Sequence, residues 1–577
     1  MVKTQWMLYT RRGEFQALSS RFSISPIVAK IMVNRGVEEK DFPLFLQGGR
    51  ECLHSGQKLK GAMEAARILR EKISAGKKIR VVGDYDIDGV CSSYILIAGL
   101  KTLGANVDGV IPHRVKDGYG INESIIRQAA EEGVDTLLTC DNGIAAYEAL
   151  ALGKQLGMTL LVTDHHEVQK NERGEDLLPE ADVIVNPRQK DCTYPFPGIC
   201  GAFVAYKLME LLFMEQVSDW EREWQRLGFM EMAAIATVGD VMSLTGENRV
   251  LVRQGLKALE QTQNPGLVCL MEVTGLLEKE LTPYHIGFVL GPCLNAGGRL
   301  ETAQAALGLL LCENREQAME KAVYLKLLND KRKELTRENV EQALLEVEEK
   351  YRRDKVLVVY LEHCHESIAG IIAGRVREYF GKPAIILCPA EQKDMAKGSA
   401  RSIEAYNIFE ALCQVKNFLP KFGGHPMAAG MSILKKDVPS FRQALNQRAR
   451  LTEEDFIEKV WIDVALPFSY VSRELIQELN LLAPFGNGNE KPKFAQKDVQ
   501  VLSLRLMGQD RNTAKLLLRG SDGCEMEGIV FGAGEALGAQ VRPGDRMDVI
   551  YYPQENVYRG HSTLQLVISH WKCRNLP

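Results

Sequence analysis

Three aspartates stand at alternate positions in one short stretch of this sequence. Asp84, Asp86 and Asp88 follow the β-branched run Ile79 to Val82 and precede Gly89, which lets the backbone turn into a helix of small residues. The stretch predicts a buried strand whose carboxyl end carries three carboxylates. Carboxylates crowded together repel one another unless a cation neutralises them. We interpret the stretch as a divalent metal site, since the alternative, capping of the following helix, needs only one or two of the acids.

Two later predicted strands end in the same way. The apolar runs 134–140 and 158–163 are each followed at once by acidic or imidazole side chains. Their alternation with predicted helices indicates a parallel sheet, and the carboxyl ends of its strands form the edge at which ligands bind. The side chains delivered to this edge are Asp141, Asp164, His165 and His166.

A fourth contribution comes from Asp240, which follows the apolar stretch 235–239. Taken singly, Asp141 is explained about as well as a turn residue before glycine, and Asp240 as a helix cap. Paired histidines after a strand are also more often structural than catalytic. The joint occurrence at the same end of successive strands favours one shared site. Carboxylate oxygens with one or two imidazoles suit Mn²⁺ or Mg²⁺ better than zinc.

Composition limits the class of protein. The 577 residues, 45% hydrophobic and 25% charged, are typical of a soluble globular chain with several domains. The N-terminus lacks the apolar core of a signal peptide and no run of about 18 apolar residues occurs, so we expect a cytoplasmic protein without a membrane span. The 13 cysteines are scattered and never spaced as Cys-x-x-Cys, which argues against a disulfide framework and a structural zinc site. No GxxxxGK[ST] motif is present, so the reaction should need no ATP.

Four segments of the metal-site region resemble the phosphoesterase motifs of the DHH family, which is named for a triplet like that at 164–166. These segments read GDYDIDG, CDNG, TDHH and VGDVM. Four later segments are similar to those of the RecJ family, the 5′ to 3′ exonucleases specific for single-stranded DNA. These read GPCLNAGGRL, HESIAGIIA, GSARS and GGHPMAAG. The resemblance covers nearly the whole chain from about residue 60.

This resemblance implies hydrolysis of DNA with two bound Mn²⁺ or Mg²⁺ ions, in DNA repair and recombination. It implies single-stranded DNA as the partner, with a single-strand-binding protein and a RecQ-type helicase as further partners of a monomeric chain. Asp141 would bridge the ions and His166 would contact the phosphate. Asp84 would either bind a metal ion itself or contact a residue that does. The metal ligands that the resemblance assigns are Asp86, Asp88, Asp141, His165 and Asp240. The catalytic residues beside them are Asp84, Asp164 and His166.

Groups outside the metal cluster must set the direction of degradation, because a two-metal site is indifferent to strand polarity. Arginine suits a terminal phosphate, since its planar fork binds phosphate oxygens bidentately. For each arginine the alternative is a surface or interdomain ion pair, and for the glycine-rich segment 422–425 it is a tight turn. The predicted substrate-binding residues are Arg114, Arg299, Ser399, Arg401 and His425.

The predicted fold class is α/β, with a small β-barrel at the end. The run 313–352 is charged and unbroken by Gly or Pro, which favours a linker helix over a coiled coil with its short, irregular apolar seam. The later part carries short strands in which basic residues are interleaved with aromatics, as in barrels of the oligonucleotide-binding (OB) type. The basic residues are Arg505, Arg511, Lys515 and Arg519, and the aromatics are Phe531, Tyr551, Tyr552, Tyr558 and Trp571. The predicted domains are an N-terminal extension (1–58), a DHH catalytic domain with a parallel sheet (59–312), the linker helix (313–352), a DHHA1-type α/β domain that clamps the substrate (353–452) and an OB-fold domain (453–577).

Two other functions compete with this prediction. A DHH phosphodiesterase acting on short oligonucleotides or cyclic dinucleotides would not need the barrel or the overall length. A catalytically dead DNA-binding subunit would not need to keep a costly cluster of carboxylates. The formal net charge of −4 indicates that any nucleic-acid surface is local.

Overall fold

A computed structural model describes residues 3–114, 117–118, 120–558 and 561–574. The chain divides into two compact units. The first is built mainly from Leu53–Met242 and Gln254–Glu458, and the second from Thr4–Cys52, Ser243–Arg253 and Lys459–Pro577. Both predicted α/β parts lie in the first unit and the barrel lies in the second.

The first unit opens with a five-stranded parallel sheet, as predicted. Adjacent strands pair in parallel throughout, and the strand that leads to the three aspartates lies next to the middle of the sheet. Its last four residues are buried, because helices cover the sheet. In spatial order the strands are Asn106–Val110, Lys78–Val82, Thr136–Cys140, Thr159–Thr163 and Val183–Val185.

The helix that follows the aspartates, Ile87–Thr102, is buried from its first residue to Leu100. It packs against the helices Gly201–Gln216 and Phe229–Gly239, so the first aspartate motif leads into a well-packed part of the unit. The other helices up to residue 310 that belong to this unit are Ala62–Ser74, Glu123–Glu131, Tyr147–Gln155, Trp220–Leu227, Pro265–Val273, Pro283–His285, Gly291–Leu300 and Gln304–Leu310, with a π-helical turn at Ile286–Leu290.

A long helix joins this sheet to the next one. It spans Arg315–Glu346 and continues as a π-helical turn over Val347–Tyr351, close to the predicted linker. It packs against the helices Pro265–Val273, Gly291–Leu300 and Glu366–Phe380. The helix is therefore packed along its length against the rest of the unit, and its buried residues are mostly small or apolar.

The second sheet of the first unit is mixed. Two of its strands pair in parallel and the others antiparallel. Three helices accompany it, Glu366–Phe380, Ile408–Gln414 and Val438–Arg448. In spatial order the strands are Lys421–His425, Ala428–Leu434, Met395–Arg401, Ala384–Pro389 and Leu357–Tyr360.

The second unit contains the predicted barrel. Its sheet closes because the strand Phe494–Met507 pairs both with Thr513–Arg519 and with Arg546–Tyr558. The remaining barrel strands are Glu525–Val530 and His561–Cys573, with the short strand Val464–Ala465 beside them and the helices Arg473–Asn480 and Gly534–Gln540.

Only some of the barrel side chains predicted to contact nucleic acid are exposed and unpaired by salt bridges. Tyr551, which the sequence pattern grouped with stacking aromatics, is 1% exposed and donates its hydroxyl to the carbonyl of Leu466 at 2.7 Å, so it belongs to the core. Phe531 is 59% exposed and is available for stacking. Lys515 pairs with Glu527 at 2.9 Å, which reduces its value as a phosphate contact.

The N-terminal segment shares its core with the barrel. Sequence reasoning treated residues 1–58 as a peripheral extension, whereas the helices Phe15–Phe22, Pro26–Asn34 and Phe42–Gln47 contribute buried side chains to the same cluster as the barrel strands. The strand Thr4–Leu8 also pairs with Glu458–Ile462. The predicted domain boundaries stay a prediction.

A buried arginine ties three segments of the second unit together. Arg249 is 1% exposed, and its guanidinium lies 3.8 Å from the centre of the Phe45 ring. It donates to the carbonyls of Phe45 (3.0 Å), Leu481 (3.0 Å) and Leu482 (2.8 Å). Burial, together with the nearby Arg253, lowers its pKa to about 9. One side chain thus satisfies backbone acceptors that are distant in sequence.

Within the described residues, no helix is both long and apolar enough to cross a membrane. All 13 cysteines are free thiols.

Replacement Arg249→Met should destabilise the second unit. The three carbonyls would lose a donor while the volume is roughly kept, and unsatisfied buried acceptors cost about 1–3 kcal/mol each, partly recovered by relaxation, so a loss of about 2–4 kcal/mol is expected. Hydrogen exchange with mass spectrometry should show faster exchange in 26–47 and 473–489, but not in the parallel sheet. The exposed Arg12→Met is the control, and equal exchange in both variants would contradict the role given to Arg249.

Candidate metal centre and phosphate cavity

The first aspartate motif forms a tight turn between a strand and a helix. Asp86 caps the helix Ile87–Thr102, and its Oδ1 accepts the backbone N–H groups of Asp88 (2.9 Å) and Gly89 (3.1 Å). Asp84 accepts the N–H of Gly120 at 3.4 Å. Capping of the helix Ile87–Thr102 therefore accounts for only one oxygen, that of Asp86, and the carboxylates of Asp84 and Asp88 have other roles.

Asp88 is held by the start of a second helix. Its two carboxylate oxygens accept the N–H groups of Gly201 and Ala202, each at 2.7 Å, and the side chain is fully buried. The helix Gly201–Gln216 thus directs its positive end at the acids. A Cβ at position 201 would lie 2.7 Å from Cβ of Asp141, so only glycine allows this approach. Sequence reasoning missed these donors, although a glycine at the head of an apolar helix was a signal.

His165 brings the separate motifs together. Its Nε2 lies 3.0 Å from Oδ1 of Asp141, 3.5 Å from Oδ2 of Asp88 and 3.8 Å from Oδ2 of Asp240. Asp141 follows the strand Thr136–Cys140 with a left-handed φ of 61°, which turns its side chain out of the strand direction. Burial lowers the pKa of His165 despite the carboxylates around it, so the neutral imidazole that a metal requires is favoured.

Asp164 orients His166. Its Oδ1 lies 2.7 Å from Nδ1 of His166, and its Oδ2 accepts the N–H of Ile144 at 3.0 Å. Burial opposes charge on His166, but the hydrogen bond and the attraction of Asp164 outweigh it and raise the pKa of His166 to about 9. The same hydrogen bond outweighs burial at Asp164 and lowers its pKa. The contact with Asp164 therefore favours the protonated form of His166.

The acids and imidazoles form three overlapping groups whose ligand atoms lie within 4.8 Å of one another. The groups are Asp84, Asp86 and Asp141; Asp88, His165 and Asp240; and Asp141, His165 and His166. Burial and the neighbouring aspartates raise the pKa of Asp84 and of Asp240 to about 8, and raise that of Asp141 as well.

This arrangement fits divalent cations. Asp84, Asp88 and Asp141 are buried, and Asp86 and Asp240 are partly exposed, beside others of the same charge. A cation would relieve both the desolvation and the repulsion. Oxygen donors with one or two imidazoles suit Mn²⁺ or Mg²⁺. Asp141 belongs to two of the three groups, which is what a ligand shared between two ions requires.

A cavity of about 720 Å³ opens beside this cluster. Tyr85, between Asp84 and Asp86 in sequence, lines it and lies 4.7 Å beneath the guanidinium of Arg114. The other lining residues used below are Arg299, Glu366, Lys397, Ser399, Arg401, Lys421, Phe422 and Gly423.

Three guanidinium groups face this cavity at close range. Arg299 donates to the carbonyl of Ser367 at 2.9 Å, and Arg401 donates to Oγ of Ser399 at 3.2 Å. Burial, and then repulsion from Arg114, lowers the pKa of Arg299 to about 10 and also lowers that of Arg401. Like-charged groups held together in this way favour an anion among them.

Most of the predicted site residues meet in this region. The predicted metal ligands and Asp84 lie in the clustered groups, Asp164 contacts His166, and Arg114, Arg299, Ser399 and Arg401 line the cavity. His425 is exposed and does not line the cavity; Lys421, Phe422 and Gly423 of the same strand do. Sequence reasoning also missed Lys397, whose Nζ lies 2.9 Å from Oε2 of Glu366 at the cavity wall.

Comparison with known families matches three parts of the chain. Residues 78–237 match the DHH family N-terminal domain, 353–451 match the DHHA1 domain and 462–570 match the RecJ OB domain. These matches agree with the two sheets of the first unit and the barrel of the second.

Similar proteins cover nearly the whole chain. The single-stranded-DNA-specific exonuclease RecJ of Bacillus subtilis (strain 168) is 35% identical over 573 residues, which are 98% of this chain and 71% of that protein. The protein of the same name from Escherichia coli (strain K12) is 31% identical over 567 residues, 95% of this chain and 96% of that protein.

Solved structures of RecJ proteins have the same fold as this chain. RecJ from Thermus thermophilus in complex with Mn²⁺ is 26% identical and aligns with a TM-score of 0.82 over 99% of this chain and 80% of that one. The complex of the same protein with Mg²⁺ aligns with a TM-score of 0.77, over 99% of this chain and 78% of that one. From its sequence, domains and fold, the chain belongs to the RecJ family of DHH-domain exonucleases.

Proposed function

We propose that this chain is a metal-dependent exonuclease that hydrolyses single-stranded DNA from the 5′ end and releases nucleotides. One observation carries the proposal: a cluster of acids and imidazoles, most of them buried, lies beside a cavity lined by three arginines. The first can hold cations, and the second can hold the end of a polyanion. Tyr85 connects them, since its neighbours Asp84 and Asp86 belong to the cluster while its ring lines the cavity.

Asp86, Asp88, Asp141, His165 and Asp240 would hold two Mn²⁺ or Mg²⁺ ions, with Asp141 shared between them and Asp84 adding charge. Such ions supply a nucleophile at neutral pH and stabilise charge on the phosphate oxygens. His166 lies beside them with its Nδ1 held by Oδ1 of Asp164 at 2.7 Å, which leaves its Nε2 to donate a hydrogen bond to a phosphate oxygen. Its role is to position the phosphate and to offset its charge.

The arginine cavity would set the direction of degradation. A 5′-terminal phosphate carries more charge than an internal phosphate and has a free end that can enter a cavity. Arg299, Arg401 and Arg114, with the hydroxyl of Ser399, offer several donors to such a group. Anchoring the 5′ end there would put the adjacent phosphodiester bond at the metal cluster.

The biological setting rests on the family resemblance. We expect a role in DNA repair and recombination and a monomeric chain. The expectation of a cytoplasmic location rests instead on the sequence pattern of the N-terminus and of the apolar runs. A single-strand-binding protein and a RecQ-type helicase are the expected partners besides single-stranded DNA. We assign His425 no contact with the 5′ phosphate, because it lies outside the lining of the cavity.

Replacement Asp141→Asn should abolish hydrolysis and metal binding together. Asp141 belongs to two of the three ligand groups, so losing its charge weakens both ion sites. Metal that binds the folded state raises its melting temperature, and the rise with Mn²⁺ seen in the wild type should disappear in the variant. The exposed Asp219→Asn is the matched control and should keep both activity and the rise. Near wild-type turnover of Asp141→Asn at saturating Mn²⁺ would refute the shared-ligand role.

Replacement Arg401→Ala should reduce kcat/KM on 5′-phosphorylated strands by roughly 10- to 100-fold, since a charge-assisted hydrogen bond is worth about 1.5–3 kcal/mol. On the same strand with a 5′-hydroxyl the loss should be much smaller, because the group that Arg401 binds is absent. Arg375→Ala, an exposed arginine of the same domain paired with Glu378, is the control. Equal losses on the two strands, or release of a 3′ label before a 5′ label, would rule out the anchor.

A further inference from the structure

A buried asparagine, Asn142, follows Asp141 directly in the chain. It is 0% exposed and lies between two residues with left-handed backbone, Asp141 with a φ of 61° and Gly143 with a φ of 114°. Such a conformation is strained at Asp141, because only glycine adopts it without cost. A strained residue persists where its surroundings hold it in place. The contacts of Asn142 show what holds this turn.

The side-chain amide of Asn142 makes three hydrogen bonds, all to backbone groups. Its Nδ2 donates to the carbonyl of Val82 at 3.0 Å and to the carbonyl of Cys140 at 2.9 Å. Its Oδ1 accepts the N–H of Ile121 at 3.1 Å. Both amide hydrogens are therefore used. The side chain joins the ends of two neighbouring strands of the parallel sheet to a third segment of the chain.

These hydrogen bonds lie where the pairing between the two strands ends. The paired register of the strands stops at Val82 and Thr139. Asp84 and Asp141 each lie two residues beyond these positions. The backbone ladder between the strands therefore does not reach the two acids. The amide of Asn142 continues the link between the strands up to the point where the carboxylates begin.

The third hydrogen bond holds the segment on the other side of Asp84. Ile121 follows Gly120, which donates its N–H to Oδ1 of Asp84 at 3.4 Å. A Cβ at Gly120 would lie 3.0 Å from Cβ of Asn142, so the two residues are in close contact. Asp84 is thus fixed from two directions, through Val82 on its own strand and through Gly120 on the neighbouring segment.

We propose that Asn142 is a positioning residue that sets the separation of Asp84 and Asp141, and thereby the affinity of one of the two ion sites. The inference rests on the two-cation site of the proposed function. Asn142 acts through the backbone, since its three hydrogen bonds all go to backbone groups. The spacing of the acids matters because Mg²⁺ demands near-ideal octahedral geometry from its oxygen ligands.

The effect should differ between the two ion sites. Asp84 and Asp141 share one ligand group with Asp86, whereas the group that contains Asp88 and Asp240 includes neither of them. Loss of the amide should therefore weaken one binding step for the cation much more than the other. A general loss of stability would not produce this difference.

The test measures Mn²⁺ binding to the full-length protein by isothermal titration calorimetry without DNA. Asn142→Leu roughly keeps the shape of the side chain and removes its three hydrogen bonds. One Mn²⁺ binding step should weaken roughly 10- to 100-fold, the range for groups that orient metal ligands, while the other changes little. Asn142→Ser leaves room for a water to replace part of the hydrogen bonding and should show a smaller loss in the same step. The serine variant carries the test if the leucine variant does not fold.

Asn264 offers a matched control in the same unit. It is 4% exposed, and its amide also makes three hydrogen bonds, with the hydroxyl of Tyr94 (3.1 Å), the carbonyl of Leu310 (2.9 Å) and the N–H of Leu267 (3.0 Å). None of these groups belongs to the metal cluster or lines the phosphate cavity. Asn264→Leu and Asn264→Ser should lower the melting temperature about as much as the matching Asn142 variants, but leave both Mn²⁺ binding steps unchanged.

Activity gives a second measurement. Because the loss lies in metal affinity, kcat of the Asn142 variants on single-stranded DNA should rise toward that of the wild type as Mn²⁺ is increased. Wild-type Mn²⁺ affinities in the Asn142 variants, equal weakening of both binding steps, or the same loss in the Asn264 variants would overturn the positioning role. Wild-type protein that binds Mn²⁺ but degrades no single strand would instead refute the proposed function.

Discussion

The repulsion between buried carboxylates is the constraint around which the first unit is built. Asp84, Asp86, Asp141 and Asp240 all have raised pKa values, because burial and one another's charge disfavour ionisation. The fold offsets part of this with backbone N–H groups. Asp86 accepts two from its own helix start and Asp88 two from the helix Gly201–Gln216. What remains is a deficit of positive charge that bound cations would supply.

The phosphate cavity beside the acids carries an excess of positive charge. Burial makes the charges of Arg299 and Arg401 costly, and the nearby Arg114 repels both. Asp86 acts favourably on Arg299, so the two clusters partly compensate each other across Tyr85. Neither cluster is satisfied by the protein alone. A cation at one and a phosphate at the other would satisfy both, which links metal binding and substrate binding through the same first motif.

The sequence predicted the parts of the site that depend on local order. A strand that runs directly into Asp141 or into Asp164 and His165 must deliver those groups to the carboxyl edge, whatever the distant contacts are. The N–H donors of Gly201 and Ala202 were missed because they reach the acids only through packing of a helix more than a hundred positions along the chain. For the same reason, alternation of basic and aromatic residues in the barrel could not distinguish Tyr551, which points into the core, from Phe531, which is exposed.

The composition of the second unit was also beyond local reasoning, and it changes how the barrel can be studied. Leu18, Ile31 and Phe42 lie in one buried cluster with Val499 and Leu516 of the barrel strands. Removing everything after about residue 455 would therefore expose the apolar faces of the N-terminal helices, at roughly 25 cal/mol for each Å² of apolar surface. A loss of DNA binding in such a truncated chain would mix a lost binding surface with a lost core. Substitutions of exposed residues such as Phe531 and Arg505 leave that core intact, so they can separate the two effects.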